Sequence, residues 1–171
     1  MFDAMLAAES SWCLGISDMT MQVFESRFRV PASLEAVSSF HFQTGILKAL
    51  TPPLMVMQVH RFDALADGSI GDFTMWMGPI PVRWTARHEC VSRESFVDVQ
   101  AAGPMKSWRH THRFVRLGDA LTEVHDRIEY EHHGGWRGVW SRLLFPQIAL
   151  RALFFWRGIA TRRGVRRMQS G

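Results

Sequence analysis

Only two cysteines, Cys13 and Cys90, occur in the 171 residues. They are too few, and too unlike a CxxC spacing, for a disulfide framework or a cysteine-based zinc site. Reduced thiols in a cytoplasmic setting are the expectation. Neither GxGxxG nor GxxxxGK is present, so Gly134-Gly135 is not a phosphate loop. No GxSxG elbow or HExxH pair supports serine or zincin chemistry. The N-terminus lacks a basic n-region and a long apolar core, and Asp18 interrupts it, so it does not read as a signal peptide. Met19 and Met21 offer alternative starts, which would leave residues 1–20 as a poorly ordered extension before one domain over 21–171. The most apolar stretch, Val139 to Ala160, contains Arg142, Pro146, Arg151 and Arg157, and no segment is expected to span a membrane.

What is present fits one globular core. Hydrophobic residues make up 47% and charged residues 21%, with seven Trp, which excludes a disordered chain. The net charge of +4 would raise nucleic acid or an anionic membrane as partner. Its distribution narrows that reading. Residues 1–20 carry −3, residues 21–135 carry −1, and residues 136–171 carry eight arginines and no acid. No nucleic-acid module accompanies them, so nucleic acid is not expected. Two readings of the arginines remain: a solvated helix face whose cations suit the negative helix end, or attraction of Arg162, Arg163, Arg166 and Arg167 to anionic lipid.

The run QVFESRFRV, residues 22 to 30, alternates with period two and predicts a half-buried strand ended by Pro31. Ser33 is a predicted N-cap, with Leu34, Val37 and Phe40 on one helical face, and Pro52-Pro53 closes the helical region. Turn signals at Asp67-Gly68, Gly78-Pro79, Ser92 to Ser95, Gly103-Pro104 and Gly118-Asp119 then separate six antiparallel strands. After Gly134-Gly135, apolar residues from Val139 through Leu143, Ile148, Leu150, Leu153 and Phe154 to Ala160 recur at helical spacing. Pro146 kinks this helix or begins a new first turn. The fold class is therefore α+β: a seven-stranded antiparallel sheet wrapped around a long C-terminal helix, with one or two short helices after strand one.

This order resembles the helix-grip fold of the SRPBCC superfamily of START, birch pollen allergen and polyketide cyclase-like proteins. The stretches GPIPVRW from Gly78, FVDVQ from Phe96, WRHTHRF from Trp108 and DRIEY from Asp126 look like one bacterial group within it, some of whose members are fused to sugar-epimerase-like domains. Met105 departs from the group, where an aromatic often follows Gly-Pro. The resemblance implies a ligand cavity between sheet and long helix.

His110 and His112 stand two apart on one predicted strand, so both leave the same face, beside Trp108 and Phe114. A two-residue Gly118-Asp119 loop sets them opposite Arg127 and His125. A three-residue loop with Gly118 as left-handed bulge residue sets them with Val124, Asp126, Ile128 and Tyr130. The second gathers the apolar residues together and is preferred. A three-residue turn through Ala102-Gly103-Pro104 adds Phe96, Asp98 and Gln100 to that face. Such a polar set is either a satisfied internal network or a ligand's anchoring point. Strand four is ambiguous: one turn length brings Arg83, Thr85 and Arg87 inward, another Trp84, Ala86 and His88.

Met55, Met57, Met75 and Met77 with Trp76 and Trp84 are either ordinary core filling or an adaptable cavity lining. No metal is expected from the two-histidine, one-carboxylate set, and no cofactor. The sequence thus reads as a binder or carrier of a small, largely apolar or lipid-like molecule held by the inward set, Arg83, Trp84, Trp108 and the helix residue Phe154. The competitors are a cyclase or dehydratase using His110, His112 and Asp126, and a membrane-surface module acting through the arginine-rich helix.

Overall fold

The computed structural model describes residues 21–171; the expected extension over residues 1–20 lies outside them. In β1 (Gln22–Val30), Phe24 and Val30 are buried while Glu25, Arg27 and Arg29 face solvent. Pro31 ends the strand, and the Ser33 hydroxyl accepts the Ala36 N–H at 3.3 Å to cap α1 (Leu34–His41). α1 buries Leu34, Val37 and Phe40, and α2 (Ile46–Leu50) follows. Six strands come next: β2 (Val56–Phe62), β3 (Ile70–Met77), β4 (Ile80–Glu89), β5 (Ser95–Ala102), β6 (Ser107–Gly118) and β7 (Leu121–Glu131). They form one antiparallel sheet with β1, in the order β1-β7-β6-β5-β4-β3-β2. α3 (Gly135–Leu144) and α4 (Gln147–Ser170) complete the chain.

α4 lies on the inward face of the sheet through Leu150, Phe154, Gly158, Thr161 and Val165. Two apolar clusters flank the middle of that face. One joins α1 to Val30, Phe114, Val124 and Val165; the other joins Phe73, Trp84, Met105, Tyr130, Leu150 and Phe154. Each of these larger side chains stabilises the fold by roughly 1.5–3 kcal/mol. Met105, the departure noted in the sequence, is only 2% exposed and fills the second cluster.

The register settles the turns. His112 pairs with Asp126 and Phe114 with Val124, so the histidines share the face of Val124, Asp126, Ile128 and Tyr130. The mechanism differs from the expected loop. Gly118 pairs with Leu121 around Asp119-Ala120, and the one-residue slip falls between Arg116 and Gly118, while Gly118 is not left-handed among the described residues. The turn after β5 spans residues 103–106, and Phe96 and Asp98 still pair with His112 and His110. In β4, Trp84, Ala86 and His88 are buried. Arg83 is on the outer face, donating to both Asp72 oxygens at 3.0 and 2.7 Å, which corrects its expected place in the cavity.

Cys90 follows β4 with a left-handed φ of 52°. One further expectation changes. The apolar spacing from Val139 to Leu143 does not face the sheet: Val139 is 62% and Leu143 66% exposed. Pro146 begins α4 as its N-cap, so α3 is a separate helix with its own orientation. Its inward face is Gly138 and Ser141. A Cβ at Gly138 would collide with the His133 carbonyl, and the Ser141 hydroxyl joins His132 Nδ1 at 2.8 Å. Small and polar residues thus seat α3 closely, which leaves its apolar stripe outward.

Gly138→Ala is therefore expected to destabilise the protein by about 1–3 kcal/mol, the scale of a forced backbone shift. Urea denaturation measures this; a change of only a few tenths would show that α3 is not held at Gly138.

Candidate functional site

Between the two clusters, sheet and α4 enclose a cavity of about 120 Å³. Its walls are mostly apolar, with Phe73, Met75, Trp84, Phe96 and Trp108 from the sheet and Leu150, Leu153 and Phe154 from α4. Trp84 meets Trp108 edge-on at 5.3 Å, and Phe145 closes on both indoles. The volume suits a small organic molecule or several waters.

One wall carries charge. The register places Asp98 on β5, His110 and His112 on β6 and Asp126 on β7 side by side. His110 Nε2 lies 3.0 Å from Asp126 Oδ1, and His112 Nε2 lies 3.2 Å from Asp98 Oδ2. His112 Nδ1 is also 2.8 Å from Asp126 Oδ1, although not aligned as a hydrogen bond. His88 extends the row, with Nε2 3.3 Å from Asp98 Oδ1.

Burial raises a lone carboxylate, but the two histidines hold the Asp126 carboxyl well below the usual carboxylate range. Burial would likewise lower His112, yet Asp126 and Asp98 outweigh it and hold it up at about 9. His110 follows burial, helped by the His112 charge, and falls to about 4. At neutral pH the wall therefore presents two carboxylates, an imidazolium and a neutral imidazole. The last two have ring centroids 3.8 Å apart. Because His110 donates Nε2–H to ionised Asp126, its Nδ1 is the lone-pair nitrogen.

No protein-family model matches the chain, and no curated protein matches it. Its likenesses are structural. A point mutant of norcoclaurine synthase from Thalictrum flavum, in complex with a transition state analogue, aligns over 87% of this chain and 96% of its own, with TM-score 0.62 and 17% identity. The Zhui aromatase/cyclase from Streptomyces sp. R1128 aligns over 85% and 91%, with TM-score 0.62 and 14% identity. The chain has the helix-grip fold that these structures share. A nucleoside-diphosphate sugar epimerase from Corynebacterium glutamicum also aligns over 82% of this chain but only 28% of its own, with TM-score 0.60 and 24% identity.

Within this helix-grip cavity stand the expected Trp84, Phe96, Asp98, Trp108, His110, His112 and Phe154. Asp126 lies behind the histidines, 3% exposed, and supports them. Gln100 does not line the cavity: its side chain donates to the Met105 carbonyl at 2.8 Å and accepts the Met105 N–H at 3.3 Å, holding the turn after β5. Of the methionine set, Met75 lines the cavity.

Two cavity residues were missed by sequence reasoning. Arg157 was grouped with the basic tail, although its spacing from Leu150, Leu153 and Phe154 places it on the inward stripe of α4. Its guanidinium sits 5.0 Å over the Phe154 ring. His41 falls on the inward face of α1, seven residues after Leu34; its Nδ1 lies 2.8 Å from the Val37 carbonyl and burial pushes it down to about 4. Asp98, His110 and His112 bring ligand-capable atoms within 4.8 Å of one another, close enough to hold a metal ion. The raised proton affinity of His112 opposes this, since a metal ligand must be neutral.

The pH dependence of stability follows. His112, held at about 9 against 6.5, contributes stability that is complete below pH 6.5 and lost as pH rises through about 9. His110 and His41, both near 4 against 6.5, contribute stability present above pH 6.5 and lost as pH falls towards about 4. Urea denaturation across this range should show a maximum near pH 6.5. His112→Gln should flatten the alkaline limb, and an unchanged limb would refute the assignment. Asp126→Asn leaves the buried His112 imidazolium with Asp98 alone and should cost about 3–5 kcal/mol.

Proposed function

We propose that the protein, as a single domain over residues 21–171, binds a small, largely apolar molecule carrying a polar group that reaches the Asp98, His110 and His112 wall. The observation that carries this is an apolar cavity bordered by buried polar atoms without aligned partners. Asp98 Oδ1 has no aligned donor, and Arg157 Nε no acceptor. One offers an acceptor and the other a donor, so a hydroxyl or phenol, which both donates and accepts, would meet both needs. A lipid-like ligand is the more extended form of the same class, although 120 Å³ favours a compact one.

The experiment is native mass spectrometry and solvent extraction of protein purified from its own host, together with titration by the apolar fluorophore 1-anilinonaphthalene-8-sulfonate. A co-purifying molecule or saturable fluorophore binding is expected, and Ala86→Leu, which fills the cavity, should weaken binding about tenfold or more. Protein that is always empty and takes up no probe would refute the proposal.

A second reading is proton transfer to or from the bound molecule. It is favoured by one observation, a neutral imidazole beside an imidazolium, two groups whose environments drive their proton affinities apart. The norcoclaurine synthase and the aromatase/cyclase that share the fold are by name enzymes. In this reading His110 Nδ1 is the base and His112 the acid. His110→Ala should then abolish turnover of the extracted molecule while leaving its binding intact; equal turnover would exclude the reading. Contact of Arg162, Arg163, Arg166 and Arg167 with anionic lipid has less support. Arg162 is used within the fold, donating Nε–H to the Arg29 carbonyl at 2.8 Å and lying over Phe28.

A further inference from the structure

The outward stripe of α3 has no partner among the described residues. Trp136, Val139, Trp140 and Leu143 follow one another at helical spacing and are 73%, 62%, 52% and 66% exposed. On α4, Ile148 at 69% and Phe155 at 74% are also exposed. Exposed apolar residues scattered singly mean little, but four on one face of a ten-residue helix mark a docking surface. Arg137, Arg142 and Arg151 are exposed beside it, and residues 136–171 contain no acid.

We propose that this stripe seats the protein on an anionic lipid bilayer, with the indoles of Trp136 and Trp140 at headgroup level and Arg137, Arg142 and Arg151 against lipid phosphates. Tryptophan suits this interface because its ring is apolar and its N–H needs a polar partner. The charge selects the occupant. A second copy docked on the same face by two-fold symmetry would bring like arginines together with no carboxylate between them; phosphate removes that cost.

The helices lie on the membrane and do not cross it. The stretch Gly135–Ser170 is long and apolar enough to cross by composition, with mean hydropathy 1.3 and 22% burial in its most apolar window. Its opposite face, however, is built into the core through Leu150, Phe154, Gly158, Thr161 and Val165, and spanning would strip that face from the sheet. Phe145, at the junction of α3 and α4, lines the cavity, so the docked face adjoins the cavity wall. The docking itself holds whether or not the cavity binds a ligand.

Co-sedimentation of the full chain with phosphatidylcholine vesicles, with and without phosphatidylglycerol, tests the proposal. Binding is expected to require phosphatidylglycerol and to fall with salt. Replacing Arg137, Arg142 and Arg151 with Gln should weaken it by roughly fivefold per arginine. Trp136→Ser with Trp140→Ser should weaken it about tenfold or more, since both indoles leave the interface. These positions are exposed, so the thermal midpoint and circular dichroism of the variants should match wild type. Three outcomes would overturn the proposal: no binding to phosphatidylglycerol vesicles, equal binding by the variants, or a lipid-free dimer that the tryptophan variant converts to monomer. Bound protein that resists carbonate extraction would show insertion across the bilayer and would also overturn it.

Discussion

A carboxylate buried on the inward face of the sheet, one strand from its edge, constrains everything around it. Asp126 is 3% exposed between Val124 and Ile128 on β7, where a lone charge would cost several kcal/mol. It is tolerated because His110 and His112 arrive on β6 in the register that brings both to its Oδ1. The proton that His112 then keeps needs a second carboxylate, which Asp98 supplies from β5. Each group makes the next necessary, so three neighbouring strands are held in one register by an ionic chain as well as by their ladders. A slip of one residue would turn every inward side chain outward.

The same chain explains why the core has a cavity there. Apolar residues pack densely on either side, but they cannot close over a wall whose polar atoms need partners. The helix meets that wall with Arg157 and not another large apolar residue. Two carboxylates, one imidazolium and one guanidinium sum to zero, so the site requires no ionic ligand. A neutral molecule with one hydroxyl fits such a balance better than a carboxylate or an amine, which would leave an uncompensated charge in a dry cavity.

The element order, the sheet and the inward face of β6 and β7 were legible in the sequence because alternation with period two is a strong signal wherever one face is buried. Asp126 was legible for the same reason: it is the one acid on the inward face of β7. Turn chemistry was not. The slip at Leu117 and the longer turn after β5 differ from the loops expected, yet they change the chain by amounts that keep the same face inward. Arg83 and Gln100 show the limit. Turn length decided the face of Arg83, and a local hydrogen bond to Met105 used Gln100 in a way that no spacing reveals. Arg157 and His41 were missed because each was weighed as part of a class, basic tail or short helix, when its helical phase already placed it inward.

Helical phase also divides the C-terminal arginines into groups with different physics. Arg157 turns into the cavity, Arg162 is tied to the Arg29 carbonyl, and Arg137, Arg142 and Arg151 border an apolar stripe. Net charge therefore says little about this region, whereas the face each arginine occupies says a good deal. The inversion of α3 is the decisive case. Its apolar stripe would ordinarily be sheet cover, but Gly138 and Ser141 seat the helix against His132 and His133 just after β7, and the break at Pro146 frees α3 from the phase of α4. The sheet is covered by α4 together with α1, and the stripe of α3 has no partner among the described residues. Phe145, packed 6.0 Å from Trp84 and 6.4 Å from Trp108, joins the two: it is a wall of the cavity and the junction between the helices.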